Sequence, residues 1–161
     1  SNDKYGVLYD ATLFSDLMAC GLDFDREAVI ARCVELKRDV VAQDEFDTGE
    51  RMKLNLGHTL GHAIEAASHF TVSHGQAVAI GIAIVARSCG CPDASRIEAL
   101  LKAFGLPVTT DIPAQTLLGY TLSDKKRSGN TVNLIIPHRI GSCAITPMNV
   151  NQIKSFIEAG L

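Results

Sequence analysis

No sign of charge dominates this chain, and no stretch of it stays apolar for long. Its 161 residues carry a formal net charge of −3, too little for general attraction to nucleic acid or to an anionic membrane. The longest apolar run, residues 77–86, contains Gly81, ends at Arg87 and is too short to span a bilayer. No segment reads as a secretory signal. Cysteines are few and scattered: Cys20, Cys33, Cys89, Cys91 and Cys143 are odd in number, and Cys89-Gly90-Cys91 has no second pair to complete a metal or redox site. Reduced thiols in a reducing, cytoplasmic compartment are expected. Repeats, low-complexity tracts, a GxGxxG turn and a P-loop are all missing, so the usual nucleotide cradles are not here. What remains, 47% hydrophobic and 20% charged, suits one globular domain with a substantial core.

The apolar spacing is mostly helical. Residues 10–20 stop at Gly21, a natural C′ position. Asp25 can cap a long amphipathic helix to about Val41, with Ala28, Val29, Cys33, Leu36 and Val40 on its inner stripe. An acidic loop over 43–50 leads to a helix ending near Ser68. Residues 74–89 are apolar on nearly every face and should form the buried central helix, with small residues (Ala77, Ala79, Gly81, Ala83) allowing close neighbours. Further helices are expected over 95–104, closed by Gly105, from Pro113 at N1 through Leu118, and over 149–159. Only 132–137 and 143–146 look like strands, paired as a hairpin around Ile140-Gly141. The expected fold class is mainly α, multihelical, with a small β-hairpin. Ser1-Asn2-Asp3 reads partly as an expression scar, and Lys4-Tyr5-Gly6 follows without a start signal, as in a piece cut from a longer polypeptide.

Three of the five histidines, His58, His62 and His74, fall within seventeen consecutive residues. On a helix, His58, His62 and Glu65 share one stripe, and His74 can fold back onto it from the next segment. Imidazole is the commonest protein ligand for a borderline divalent metal. A lone histidine here would read as a packing residue satisfied by a carbonyl. A cluster flanked by Arg51, Asn55 and Glu65 is costly to keep in an apolar domain without a function. Thr59 after His58 rules out an HExxH metalloprotease helix. Two histidines also leave a catalytic metal one ligand short. Lys37, Arg51 and the basic run 124–127 singly read as solvated charges; beside a metal they would suit a carboxylate or phosphate substrate. Gly57 and Gly61 permit close approach of a ligand or, equally, of another helix.

Together these residues resemble 3-dehydroquinate synthase over nearly the whole chain. The resemblance rests on Lys4-Tyr5-Gly6, Lys37, Gly49-Glu50-Arg51, Asn55-Leu56-Gly57-His58-Thr59, Gly61-His62-Ala63-Ile64-Glu65, His74-Gly75, Gly105-Leu106-Pro107, Asp124-Lys125-Lys126 and Ile135-Ile136-Pro137. It implies that residues 4–161 are the helical C-terminal domain of a two-domain enzyme whose N-terminal NAD-binding domain is absent from the chain. The implied activity is that of a metal- and NAD-dependent carbon–oxygen lyase of the shikimate pathway. It turns 3-deoxy-D-arabino-heptulosonate 7-phosphate into 3-dehydroquinate and phosphate through oxidation, β-elimination, re-reduction, ring opening and aldol closure. The resemblance makes His58 and His74 two of three ligands to Zn2+ or Co2+. The third family ligand is a glutamate three residues before the Lys-Tyr-Gly lysine, where Ser1 stands here. Lys37 and Arg51 would hold the substrate carboxylate. Lys4, Asn55, His62 and Lys125 or Lys126 would contact its hydroxyl and phosphate groups, with His62 the candidate proton relay. The implied partners are a small sugar-phosphate acid and a second copy in a homodimer, not nucleic acid or membrane. The chain alone is expected to be inactive.

Two positions depart from the family pattern: Gln76 where glutamate is frequent, and Asn133 where arginine is. The alternatives are another sugar-phosphate cyclase, of the 2-deoxy-scyllo-inosose or valiolone synthase type, and an iron-containing alcohol or glycerol dehydrogenase. The dehydrogenases lack the Asn-x-Gly-His-Thr-x-Gly-His context. A helical binding module with a structural metal is the non-enzyme reading.

Overall fold

One helix organises the molecule. In the computed structural model, which describes residues 2–44, 49–123 and 129–161, α5 (His74–Ser88) is buried from Ala79 through Ala86 without a break. Around it run α1 (Asn2–Leu8), α2 (Ala11–Cys20), α3 (Arg26–Gln43), α4 (His58–Ala67), α6 (Ala94–Ala103), α7 (Ala114–Ser123) and α8 (Val150–Gly160). A 3-10 segment (Glu50–Asn55) precedes α4, and β1 (Thr131–Arg139) and β2 (Ser142–Asn149) precede α8. The mainly helical class with one hairpin is as expected. No helix among the described residues is long and apolar enough to cross a membrane.

The apolar residues of α5 face two ways. Ala79, Ile82, Ala83 and Ala86 meet Tyr5, Val7 and Leu8 of α1, Phe14 and Leu17 of α2, Val29 and Cys33 of α3, and Leu100 and Leu101 of α6. Ala77, Ile80, Ile84 and Val85 meet Leu60 and Ile64 of α4, Leu117 of α7, and Ile153 and Ile157 of α8. Strand β1 serves both halves through its two-residue period: Ile135 joins the first cluster, and Val132, Leu134 and Ile136 join the second. The hairpin is antiparallel, pairing Ile135 with Ile145, with an irregularity between Pro137 and Arg139. Its tip is tied down where the Gly141 N–H donates to the Val7 carbonyl at 2.8 Å and the Ile140 N–H to Asp93 Oδ2 at 3.0 Å.

Local chemistry sets the helix ends. Asp10 and Asp25 cap α2 and α3 by accepting the Leu13 and Ala28 N–H groups. Ser73 and Gln76 form a reciprocal capping box at the start of α5, so Gln76 has a structural job of its own. Asn133 is exposed on β1. Arg87, in the last turn of α5, donates to the Gly160 carbonyl at 2.6 Å, to Glu98 Oε1 at 2.8 Å and to the Val108 carbonyl. That one guanidinium pins α6, α8 and the loop between α6 and α7 to the central helix.

Several expectations need correction. Helix α1 has no sequence signal. Helix α7 begins after Pro113, whose carbonyl accepts the Thr116 and Leu117 N–H groups. It then runs to Ser123 rather than Leu118, helped by the buried Thr121 hydroxyl donating to the Leu117 carbonyl. Both strands are longer than expected, and Ala28 lies on the exposed face of α3. The five cysteines are free thiols. Cys89 Sγ is directed at the Ala86 and Pro137 carbonyls, and burial pushes the thiols of Cys89, Cys91 and Cys143 upward, that of Cys143 to about 12, which disfavours their thiolates.

Candidate metal centre

Glycine packing creates the site. Helices α4 and α5 cross with Gly57, Gly61 and Gly81 at the contact. Gly57 adopts a left-handed backbone (φ 73°), and a Cβ there would fall 2.6 Å from Ile82 Cγ1 and 2.7 Å from the Val78 carbonyl oxygen. A Cβ on Gly81 would overlap the Gly57 carbonyl. Of the two uses open to these glycines, helix packing is the one they serve here. The close crossing sets the His58-His62-Glu65 stripe of α4 against His74 at the first turn of α5.

The ring centroids of His58 and His74 are 5.3 Å apart; His62 lies 5.8 Å from His58 and 6.0 Å from His74. A ring bound to zinc has its centre about 3.2 Å from the ion, taking a Zn–N bond of about 2.05 Å, so two rings at a tetrahedral angle sit about 5.2 Å apart. The His58–His74 pair matches that spacing best. Nitrogen chemistry also fits. His58 Nδ1 lies 3.1 Å from the Leu56 carbonyl oxygen, which can only accept, so Nδ1 carries the proton and Nε2 keeps its lone pair. His74 Nδ1 lies 3.0 Å from Glu65 Oε2. Burial above all lowers the pKa of His58 to about 4, with smaller contributions from Lys4, His74 and His62 against the opposing Leu56 bond. His58 is therefore neutral at neutral pH, as a ligand must be. Ligand atoms of His62, Glu65 and His74 also lie within 4.8 Å of one another.

A pocket of about 170 Å³ opens beside the pair, lined by Lys4, His58, His74, Gly75, Val78 and Leu106 among others. Burial lowers the Lys4 pKa, and the neighbouring charge of Lys37 lowers it further. Two cations close enough to repel, one of them in a half-buried pocket, favour an anion between them. Lys4 also lies 5.4 Å from the Tyr5 ring centroid. His62, Lys37, Arg51 and Asn55 do not line this pocket. His62 and Lys37 are exposed, whereas Arg51 and Asn55 are half-buried in the 3-10 segment that leads into His58. That segment is held where Asp44 Oδ2 accepts the Gly49 and Arg51 N–H groups. Lys125 and Lys126 lie outside the described residues. Sequence reasoning placed Glu65 on the histidine stripe but missed its bond to His74, which depends on where the next helix starts.

Residues 3–127 match the family described as 3-dehydroquinate synthase C-terminal. The 3-dehydroquinate synthase of Pelobacter propionicus is 41% identical over 164 residues, covering 93% of this chain and 46% of that protein. That of Pseudoalteromonas atlantica is 37% identical over 171 residues, covering 96% and 48%. The chain thus spans about half the length of the curated relatives it matches. Among solved structures, a 2-epi-5-epi-valiolone synthase from Streptomyces hygroscopicus subsp. jinggangensis 5008 with NAD+ and Zn2+ bound superposes with a TM-score of 0.81. It is 20% identical, covering 98% of this chain and 48% of that one. A 2-deoxy-scyllo-inosose synthase complexed with carbaglucose-6-phosphate, NAD+ and Co2+ gives 0.80 at 23% identity, over 99% and 49%. At such identities the likeness speaks for a shared fold. The family match and the curated relatives go further: the chain belongs to the 3-dehydroquinate synthase family, in the C-terminal region of its members.

Proposed function

We propose that the chain is the metal-holding half of a cytoplasmic 3-dehydroquinate synthase acting on 3-deoxy-D-arabino-heptulosonate 7-phosphate, and that it is inactive without a nucleotide-binding half. The observation that carries this reading is the His58–His74 pair beside the cationic Lys4 pocket. When bound, the divalent metal supplies Lewis acidity and NAD supplies a hydride acceptor. His58 and His74 would hold the metal through Nε2, each ring fixed from behind through Nδ1. Two imidazoles are one ligand short of an ordinary catalytic set, so a further donor completes it.

The remaining residues bind and orient. Lys4 and Lys37 would neutralise the anionic substrate, and Arg51, with its planar fork of donors, suits a carboxylate. Asn55 would bond a substrate hydroxyl, and His62 would hold or move a proton beside the phosphate with Lys125 or Lys126. The carboxylate distinguishes this substrate from the carbaglucose-6-phosphate held by the 2-deoxy-scyllo-inosose synthase. Titration calorimetry with 3-deoxy-D-arabino-heptulosonate 7-phosphate and with glucose 6-phosphate should show the acid binding more tightly. Lys37→Ala and Arg51→Ala should erase the difference. Equal affinity, or a preference for the hexose, overturns the assignment. Phosphate release from the acid by the chain and NAD alone would overturn the predicted inactivity.

A further inference from the structure

Glu65 lies on the same face of α4 as His58 and His62, with its side chain only 16% exposed, against 55% for His74. Its Oε2 is 3.0 Å from His74 Nδ1. We infer that Glu65 is the positioning residue of the metal centre, accepting the His74 Nδ1–H so that the ring presents Nε2 to the cation. This rests on the metal reading above and deepens it.

A neutral imidazole has two tautomers and a free χ2. His74 is the more exposed member of the pair and stands at the first turn of its helix, where packing restrains it least. His58 needs no such partner, because the Leu56 carbonyl performs the same task at 3.1 Å. The pair is thus oriented from two sides, by a backbone acceptor for the buried ring and a carboxylate for the exposed one. A carboxylate behind a liganding imidazole fixes the tautomer and makes the ring a better donor, and its loss typically costs 10–100-fold in metal affinity. The competing role is direct ligation, since donors of His62, Glu65 and His74 cluster within 4.8 Å. One feature favours positioning: Glu65 Oε2 lies at hydrogen-bond distance from His74 Nδ1, which leaves Nε2 as the atom that ring can offer to a cation.

The experiment uses two readouts on the 161-residue chain. Long-range 1H–15N correlation of the metal-free protein reports the His74 tautomer, and Co2+ titration reports affinity through the visible absorption of the bound ion. The parent should show His74 protonated at Nδ1. Glu65→Ala should lose that preference and bind Co2+ roughly 10–100-fold more weakly. Glu65→Gln, close in shape and still an acceptor, should fall between the two, and it keeps the test valid if the alanine variant unfolds. Glu65→Ala with parental tautomer and affinity overturns the inference and leaves the metal reading standing. Glu65→Gln as defective as His74→Ala makes Glu65 a ligand and also overturns it. If the parent chain, one ligand short, takes up Co2+ too weakly to titrate, the tautomer decides: Glu65→Ala with the parental His74 tautomer overturns the inference.

Discussion

Replacing Gly81 by alanine probes the packing that builds the site. The added Cβ would overlap the Gly57 carbonyl oxygen and come within 3.1 Å of Gly57 C and Gly61 N. All three are backbone atoms, so no rotamer relieves the contact and α4 must move off α5. Overpacking a tight core costs about 1–3 kcal/mol, and backbone on the far side puts this case at the upper end. Alanine returns about 1 kcal/mol of helix propensity. The net expectation is a loss of about 2 kcal/mol. Gly119, inside α7 with no neighbour within 4 Å of its own added Cβ, isolates the second effect. Gly119→Ala should therefore gain up to about 1 kcal/mol. Urea unfolding followed by circular dichroism reads both as midpoint shifts at constant slope. Because the same movement carries His58 away from His74, Gly81→Ala should also weaken Co2+ binding, and Gly119→Ala should not. A Gly81→Ala chain with the parental midpoint and parental Co2+ affinity would refute the reasoning.

Three further predictions concern the frame. Arg87→Met keeps the aliphatic stem but strands the Gly160 and Val108 carbonyls and leaves Glu98 only the longer Lys102 contact at 3.9 Å; a loss of about 2–3 kcal/mol in chemical unfolding is expected. Ser73→Ala removes the capping box at the start of α5 and should cost about 1 kcal/mol in the same assay. The Asp93 carboxyl is held below its ordinary value, chiefly by the Ile140 N–H bond and then by Arg96, against the opposing pull of burial. A depressed folded value means its contribution is intact above the ordinary 3.8 and fades as pH falls through the folded value. Asp93→Asn should flatten the acid limb of a stability–pH curve there, and an unchanged limb would show that the hairpin tether contributes nothing.

Elements whose ends carry their own chemistry were legible in the sequence. Gly21 after an apolar helical repeat marks the end of α2, Asp25 the cap of α3, and a segment apolar on nearly every face identifies α5; Asp10 and Asn149, expected as first helical residues, are the N-caps of α2 and α8. The hidden parts depend on tertiary contacts. Helix α1 is seven residues long and shows no amphipathic repeat; it is held by burial of Tyr5, Val7 and Leu8. The start of the 3-10 segment is held by Asp44, which accepts the N–H of Gly49 at its cap and of Arg51 within it. The hairpin extends past the expected strands to the Thr131–Asn149 and Arg139–Ser142 pairs because ladder pairing, not apolar content, continues it. Within the site, the histidine stripe followed from the helical period. The Leu56 carbonyl beside His58 depends on the local turn before α4, and the Glu65 contact with His74 became visible only once α5 was folded back.

The most direct measurement follows all five histidines by 15N-detected NMR during a Co2+ titration of the parent chain. His58 and His74 should respond at Nε2 with one shared midpoint, while His69 and His138 stay unmoved. Two midpoints, or a response from only one of the paired rings, would mean that they do not hold a common ion.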